Sequence, residues 1–327
     1  MKVLVTGSSG HLGEALVRTL RDSSATVVGL DTKPSDYTTA VGSIVDAKFV
    51  RQVMSGVDVV YHTATLHKPH VATHSKQEFI DTNVSGTLAL LEAAVDCAIT
   101  AFVFTSTTSL YGDALVPLPG AAAVWVTEDV IPIPKNIYGV TKTAAEDLCH
   151  LFHRKSGLRC IILRTSRFFP EVDDDPVTRS SFVDRNVKAN ELLFRRVDIE
   201  DVVSAHLLAS KRAPAIGFGR YIISATTPFQ PEDLPDLSRN AAQVTELRVP
   251  GFRECYHRER WRMFAAIERV YVNEAARRDL RWRPKYDFAH VLNSLREGHD
   301  IMSPLAKLVG SKGYHERTFE EGPYPVD

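Results

Sequence analysis

The chain has 327 residues, 44% hydrophobic and 24% charged, as is typical of a globular protein with a sizeable core. Its 39 Lys and Arg residues and 40 Asp and Glu residues leave a net charge of -1, which argues against general nucleic-acid binding. The four cysteines lack zinc-site spacing, and no apolar run reaches the ~20 residues that span a bilayer. We therefore expect a cytoplasmic protein with a small-molecule partner and with no metal, nucleic acid or membrane.

Short apolar runs alternate with helical patterns through the first half of the chain. Five runs predict strands: KVLVTG, ATVVGLD, VDVVYHTA, AFVFTSTT and RCIILRT. Because they lack clean polar alternation, they are typical of parallel strands buried on both faces. Three stretches have a helical apolar period: HLGEALVRTLRDS, FIDTNVSGTLALLEAAVDC and YGVTKTAAEDLCHLFHRKSG.

These patterns predict an α/β fold, a Rossmann-type doubly wound parallel sheet with a smaller C-terminal substrate-binding part. Residues 1–169 are the predicted core, and 196–226 are expected to return to it. The irregular, turn-rich stretches 170–195 and 227–327 form the predicted substrate-binding part.

Three glycines, Gly7, Gly10 and Gly13, follow the first strand and open the first helix. Such a turn can present backbone N–H groups and a helix N-terminus to an anion, although glycines also permit a plain strand-to-helix corner. Asp31 ends the next strand, near the ~20-residue offset of an acid that binds the adenosine ribose. This carboxylate favours NAD over NADP. Neighbouring Lys33 would tolerate a 2′-phosphate, and a turn residue is the alternative for Asp31.

Tyr138 and Lys142 in YGVTK are four residues apart and share one helix face. A tyrosine with an ordinary pKa near 10 can exchange protons near neutral pH if a neighbouring ammonium stabilises its phenolate. The pair is a proton-transfer device if it faces a hydride acceptor. An aromatic packing residue beside a solvated lysine is the alternative.

Seven features in order along the chain resemble the NAD-dependent epimerase/dehydratase family, the extended short-chain dehydrogenase/reductases. They are TGSSGHLG, Asp31, VVYHTAT, NVSGT, FVFTSTTSLYG, YGVTK and RRVDIEDVVSAHLLA. The resemblance runs in register to about residue 225 and is much weaker beyond it.

This resemblance implies a catalytic triad of Thr107, Tyr138 and Lys142, with Ser106 and Thr108 as alternative hydroxyls. In the family the hydroxyl polarises the substrate oxygen, the tyrosine moves its proton, and the lysine holds the nicotinamide ribose and lowers the tyrosine pKa. The implied NAD-binding residues are Gly7, Ser9, Gly10, His11, Leu12, Gly13, Asp31, Ser43, Ile44, Ala64, Thr65, Asn83, Thr105, Tyr138 and Lys142.

Two of these assignments have alternatives. Ser43 stands where the family usually has an Asp at the adenine, so adenine recognition falls to Ser43 and Ile44 or to Asp46. The alternative for Asn83 is an ordinary polar residue in the middle of a helix.

The expected substrate-binding residues are Leu66, His67, Thr107, Thr108 and Arg167. A dehydratase is not expected, because Thr108 and Ser109 stand where the family's dehydratases carry an acidic pair. Arg167 replaces an Asn usual in sugar-nucleotide enzymes, and the stretch after it is short, which favours a smaller, anionic substrate. An ion pair of Arg167 with Glu171 or the acidic run 173–175 is the alternative.

The expected function is hydride transfer between NAD and a secondary alcohol of a sugar or sugar-derived substrate. The enzymatic alternative is a UDP-sugar 4-epimerase with tightly held NAD. A non-catalytic NAD-sensing regulator is the alternative of another class, against which the intact triad argues. The resemblance also implies a homodimer, although burial within one chain would give the same helix patterns.

Overall fold

A seven-stranded parallel sheet forms the centre of the fold. The computed structural model describes residues 1–315 together with Phe319, Gly322 and Tyr324. Its strands are β1 (Lys2–Thr6), β2 (Thr26–Asp31), β3 (Ala40–Val41), β4 (Val59–His62), β5 (Ala101–Thr107), β6 (Val124–Val126), β7 (Cys160–Thr165), β8 (Phe218–Ile223) and β9 (Arg269–Tyr271). The sheet order is β3-β2-β1-β4-β5-β7-β8, and β6 pairs separately with β9. The predicted Rossmann-type sheet and its five predicted strands are confirmed.

The described helices occupy the connections between strands and most of the C-terminal part. They are α1 (His11–Arg21), α2 (Ala47–Met54), α3 (Lys76–Ile80), α4 (Gly86–Asp96), α5 (Ile137–Ser156), α6 (Pro176–Ser181), α7 (Asp184–Glu191), α8 (Ile199–Ile216), α9 (Leu234–Leu237), α10 (Ala241–Arg248), α11 (Phe252–Glu259), α12 (Phe288–Glu297) and α13 (Pro304–Val309). The three predicted helical stretches are α1, the run from α3 to α4, and α5. Along the described part of the chain, no helix has the length and apolar character needed to cross a bilayer.

Alternate residues of each central strand face opposite layers of helices. Val3 and Val5 of β1 pack with α1 and α8, whereas Leu4 packs with α2, α4 and α5. Strands buried on both faces read as continuous apolar runs, because neither face is solvated. Because all seven strands run parallel, their carboxyl ends lie at one edge of the sheet.

The chain reverses direction across the sheet between β1 and β4. From β1 it runs outward to β2 and β3, then returns to β4 and continues to β8 on the other side. Ligands of open α/β sheets bind in the crevice outside the carboxyl ends of the strands at such a reversal. The fold therefore places a crevice next to the glycine turn after β1.

A second hydrophobic core lies in the C-terminal part. It contains Phe229, Phe252, Tyr256 and Phe288, together with Leu193 from the stretch before α8. β6 comes from the predicted core but pairs with β9 of the C-terminal part, which ties the two cores together. The division of the chain into 1–169 with 196–226, and 170–195 with 227–327, stays a prediction.

Candidate active site

A cleft of about 1360 Å³ opens at the carboxyl ends of the central strands. Small-molecule pockets usually measure about 300–1,000 Å³, so this cleft has room for an extended ligand. Its walls come from both cores, including the glycine turn at one end and β9 at the other.

The glycine turn brings the backbone after β1 into close contact with the start of α1. Gly7 has φ +74°, and a Cβ there would lie 2.7 Å from the Ala64 nitrogen. A Cβ on Gly13 would lie 1.9 Å from the Gly7 oxygen. Glycine is required at both positions because any side chain would push the strand and the helix apart.

The N-terminus of α1 faces this cleft without a side-chain cap from the described residues. Gly10 is the N-cap residue, and Glu14 is the first residue of the helix to donate back to it. His11, Leu12 and Gly13 come before Glu14 in the helix, so their N–H groups are not used in that bond. These three residues line the cleft together with Ser9. A helix N-terminus of this kind binds the phosphates of an anionic ligand.

Asp31 lies at the end of β2, beside the same turn. Its Oδ2 accepts a hydrogen bond from the Ser9 N–H at 3.0 Å, and its Oδ1 accepts one from the Lys33 N–H at 3.0 Å. Oδ1 also lies 3.5 Å from the Thr32 hydroxyl, whereas Oδ2 keeps a lone pair for a further donor. The carboxylate is thus oriented to accept from hydroxyl groups of a ligand in the cleft.

Ser43 and Ile44 line the cleft after β3. Asp46, the alternative to Ser43, instead caps α2 by accepting from the Lys48 and Phe49 N–H groups at 3.0 Å. Since its carboxylate already serves as an N-cap, this geometry favours Ser43 and Ile44 of the two predicted options.

Asn83 joins the loop after β4 to the helix that carries the triad. Its Oδ1 accepts from the Leu66 N–H and the Thr65 hydroxyl at 2.9 Å, and its Nδ2 donates to the Leu66 oxygen and to Thr141 Oγ1. Ala64, Thr65 and Leu66 line the cleft, whereas Asn83 is 2% exposed beneath them. Asn83 thus connects the cleft-lining loop to α5, and its assignment to the cofactor stays a prediction.

The three triad residues meet where β5 ends against α5. The Thr107 side chain lies next to Tyr138, and Thr107 Oγ1 accepts from the Ser109 N–H at 3.0 Å. Burial raises the pKa of Tyr138 to about 12, and the neighbouring Thr107 hydroxyl offsets part of that rise. Tyr138 is therefore protonated at neutral pH in this environment.

Lys142 is buried one turn further along α5, only 2% exposed. Its ammonium donates to the Thr105 oxygen at 2.7 Å and lies 4.0 Å from the centre of the Phe104 ring. Burial lowers the pKa of Lys142 to about 7, and the Glu146 charge opposes this shift. The charge of this lysine consequently changes within the physiological pH range.

The hydroxyls beside Thr107 face different surroundings. Ser106 lines the cleft, but its Oγ donates to Glu146 Oε1 of α5 at 2.6 Å and is thereby occupied. Thr108 also lines the cleft, with its hydroxyl 3.4 Å from the Thr165 oxygen. Thr107 is the hydroxyl of this run that lies next to Tyr138.

A family model described as NAD dependent epimerase/dehydratase family matches residues 3–222, about two-thirds of the chain. The chain belongs to this family. An uncharacterized UDP-glucose epimerase of Bacillus subtilis is 30% identical over 185 residues, which cover 50% of this chain and 55% of the relative. A UDP-glucose 4-epimerase of Halalkalibacterium halodurans is also 30% identical, over 54% of this chain and 52% of its own length. The chain spans about half the length of most curated relatives it matches.

Solved structures share the fold of this NAD dependent epimerase/dehydratase family member at lower identity. A short-chain dehydrogenase/reductase superfamily protein from Agrobacterium tumefaciens with bound NAD is 23% identical, with a TM-score of 0.64 and coverage of 94% of this chain and 99% of that one. UDP-N-acetylglucosamine 4-epimerase from Bacillus cereus is 21% identical, with a TM-score of 0.62 and coverage of 91% and 98%.

NAD is the cofactor of this family, and the cleft fits it. The close approach at Gly7 and Gly13 keeps side chains away from the α1 N-terminus, where the pyrophosphate would lie. Asp31 and Tyr138 line this cleft, whereas Lys142 is buried, and the assignment of these residues to the ribose and the nicotinamide stays a prediction.

Aromatic and charged side chains crowd the predicted substrate side of the cleft. The His67 ring stacks on Phe169 with ring centres 5.3 Å apart, and burial keeps the pKa of His67 well below its ordinary value. The rings of His70 and His74 lie next along this loop, 5.0 Å apart. Throughout the described residues, no group of three or more His, Cys, Asp or Glu side chains has an arrangement that could hold a metal ion.

Arg167 is held by acidic neighbours. Its Nη1 lies 2.5 Å from Asp173, 3.5 Å from Glu191 and 3.7 Å from Asp174. Arg167 lines the cleft, but carboxylates of the protein balance its charge. This is the outcome expected if Arg167 forms an ion pair with the acidic run 173–175. Its assignment as a substrate residue stays a prediction.

Sequence reasoning missed the part of the cleft that comes from the C-terminal part. Arg195, Arg269 and Tyr271 line it, as does a strap formed by residues 311–315. Glu171 holds the strap by accepting from the Lys312 and Gly313 N–H groups at 3.1 and 3.3 Å. These contacts join residues that are about 140 positions apart, so no local pattern reveals them.

Proposed function

We propose that this chain transfers a hydride between NAD and a secondary alcohol carbon of a sugar or sugar-derived substrate. The observation that carries the proposal is that Thr107, at the end of β5, lies next to Tyr138 of α5, with Lys142 one helical turn away. When bound, the nicotinamide supplies the hydride acceptor or donor.

Thr107 and Tyr138 act together on the substrate oxygen. Thr107 donates a hydrogen bond to that oxygen and polarises it, while the Ser109 N–H orients the Thr107 hydroxyl. Tyr138 gives a proton to the oxygen when a ketone is reduced, which is the task of the protonated form favoured by its raised pKa. Oxidation of the alcohol requires the phenolate, and the Lys142 ammonium on the same helix is the cation placed to stabilise it.

The decisive experiment is an absorbance measurement at the reduced-nicotinamide band. Purified protein is mixed with NAD and, in separate samples, with free sugars, sugar acids and nucleotide sugars. We expect NADH to accumulate with one of the small substrates. Tyr138→Phe should lower the rate by at least about 100-fold, the size of a general acid–base contribution, and leave the NADH dissociation constant within a few-fold.

Tyr37→Phe is the matched control, because Tyr37 packs between Arg18 and Arg21 and lies away from the cleft. Its activity should equal that of the parent protein. Full activity in Tyr138→Phe would refute the proposed chemistry.

A UDP-sugar 4-epimerase is the second candidate, and the strap favours it. Ser311, Lys312, Gly313 and Tyr314 donate to Glu171, which also accepts from His11 at the start of α1. A strap tied to the pyrophosphate end of the cleft would retain the cofactor between two hydride transfers, as epimerisation requires. Conversion of a UDP-sugar to its 4-epimer without net NADH would establish this candidate in place of the dehydrogenase.

We also propose that the protein acts in the cytoplasm as a homodimer. Its cysteines, Cys97, Cys149, Cys160 and Cys255, are free thiols. α5 presents exposed Val140 and Leu151, and α4 presents Leu88. Val140→Glu should shift the mass measured by light scattering from two chains to one.

A further inference from the structure

Two buried carboxylates lie beside the N-terminus of α1, where the pyrophosphate of the cofactor would lie. Glu14 belongs to the first turn of that helix and is 5% exposed. Glu171, which follows β7, is 8% exposed and contacts His11, the first residue of the helix, at 2.8 Å. Like charges repel more strongly where water is scarce, so two uncompensated carboxylates here would oppose the binding of an anionic group.

The strap of residues 311–315 supplies partners to both carboxylates. Lys312 Nζ pairs with Glu14 Oε2. Four strap residues donate hydrogen bonds to Glu171 at distances between 2.9 and 3.3 Å: Ser311, Lys312, Gly313 and Tyr314. Lys312 also lines the cleft. Its side chain thus contacts a buried carboxylate and borders the space that a ligand would occupy.

The charges of this contact group balance only while Lys312 is in place. Glu14 also pairs with Arg18, one turn further along α1, at 2.7 Å. The two carboxylates are therefore matched by two full cations, Arg18 and Lys312. The other partners that Glu171 has among the described residues are hydroxyl and backbone donors and the His11 imidazole. Of the two cations, Lys312 is the one that lines the cleft.

We propose that Lys312 is a cofactor-binding residue, whose ammonium offsets the charge of Glu14 and so admits the pyrophosphate of NAD to the N-terminus of α1. The helix N–H groups and dipole favour a phosphate there, and an uncompensated carboxylate in the same turn opposes it. Lys312 lies beyond residues 3–222, which the family model matches, so the C-terminal part of this chain supplies the charge. The inference goes beyond the proposed function, because it concerns cofactor binding and requires no hydride transfer.

Dissociation constants for NADH, measured by fluorescence titration, test the inference. Lys312→Gln should weaken NADH binding about 10- to 100-fold, the range expected for the loss of a charge-assisted contact. Lys312→Arg should retain most of the affinity, because it keeps the charge. Lys307→Gln is the matched control at an exposed lysine of α13, which pairs with Asp300, and should leave the affinity unchanged.

A second substitution separates the charge of Lys312 from a purely mechanical role of the strap. Glu14→Gln in the Lys312→Gln background removes one carboxylate together with one cation, so the charge balance of the parent protein returns. NADH affinity should then recover to within about threefold of the parent value. A strap that only covered the cofactor would gain nothing from this change, because the ion pair that helps to hold it would still be missing.

Two results would overturn the inference. One is unchanged NADH affinity in a Lys312→Gln protein whose circular dichroism spectrum matches that of the parent. The other is affinity that stays low in the double variant, which would leave the strap as a cover alone.

The test is independent of the proposed chemistry, because it measures binding and not turnover. NADH affinity that depends on Lys312 and recovers in the double variant, together with full activity in Tyr138→Phe, would reject the chemistry and leave the role of Lys312 standing. Turnover that is lost in Tyr138→Phe, together with unchanged affinity in Lys312→Gln, would do the reverse.

Discussion

At the scale of a single residue, we expect Asp31 to set the cofactor preference. Its carboxylate is held by two backbone N–H groups, so it cannot turn away from a ligand without losing both bonds. A 2′-phosphate on the adenosine ribose would bring like charges together. We expect NADH to bind at least about tenfold more tightly than NADPH in calorimetric titrations.

Asp31→Asn should reduce this preference towards parity by removing the repulsion. Asp36→Asn, which changes an exposed acid in the following loop, should leave the preference intact. Equal affinity of the parent protein for the two cofactors would show that neighbouring Lys33 compensates for the carboxylate.

We expect Lys142 to control how the reaction responds to pH. Burial raises the pKa of Tyr138 to about 12 and lowers that of Lys142 to about 7, so each group favours its neutral form while the other is neutral. Alcohol oxidation needs the phenolate, and its rate should therefore rise with pH. A phenolate beside Lys142 favours the charged lysine, and the resulting ammonium lowers the tyrosine pKa by about 1–3 units, so Lys142→Ala should move the rising limb to higher pH by at least about one unit.

The measurement is the pH profile of kcat for oxidation, with Lys135→Ala as the control at an exposed lysine just before α5. The control profile should match that of the parent. A rising limb that stays in place in Lys142→Ala would mean that another cation stabilises the phenolate.

At the scale of structural elements, the strap and the start of α1 share the carboxylate of Glu171. Burial acts to raise the pKa of Glu171, but the hydrogen bond and charge of His11 outweigh it and lower the pKa to about 2. A carboxyl whose folded pKa lies below its ordinary value stabilises the fold above that value and loses this contribution as pH falls. The strap should therefore weaken between about pH 4.5 and pH 2.

Glu171→Gln should loosen the strap at neutral pH, because an amide presents donors to the Lys312 and Gly313 N–H groups and carries no charge for His11. We expect NADH to dissociate about tenfold faster in stopped-flow fluorescence, the change that follows from losing one charge-assisted contact. Glu232→Gln, at an exposed position, should leave the rate unchanged. An unaltered dissociation rate in Glu171→Gln would mean that the strap does not limit cofactor release.

The sequence predicts an element well when the residues within that element determine it, and poorly when distant segments do. The long strands and α5 follow from apolar period and from Gly157, which ends the helix with φ +69° as its position predicts. β3 has two residues and β6 and β9 have three each, too few to carry a period. They exist because distant segments pair with them.

The site residues likewise divide into those marked by a short-range sequence pattern and those marked only by contacts in the folded chain. The glycine turn, Asp31 and the spacing of Tyr138 and Lys142 are visible in the sequence because each is a short-range pattern. Asn83 carries no local sign that it bonds Leu66 and Thr141 at once, and neither the ion pairs of Arg167 nor the pairing of Lys312 with Glu14 can be read without the fold. Charge balance inside a cleft is a property of the folded chain.

At the scale of the whole molecule, the cleft makes cofactor binding a link between the two cores. The glycine turn belongs to the sheet core, whereas Tyr271 on β9 and the strap come from the C-terminal part, and all of them line one cleft. A ligand that binds only the folded state stabilises it by about 2.7 kcal/mol at 100 times its dissociation constant. If both cores contribute to the site, this stabilisation reaches both.

We therefore expect NADH at that concentration to raise the midpoint of a single calorimetric transition by about 5 °C, on the scale of about 2 °C per kcal/mol for a chain of this size. Nicotinamide mononucleotide at the same concentration should give a smaller shift, because it lacks the adenosine half that reaches Asp31. Two separate transitions of which only the first moves with NADH would mean that the C-terminal part folds independently of the cofactor site. In that case the pairing of β6 with β9 and the strap would be too weak to join the cores.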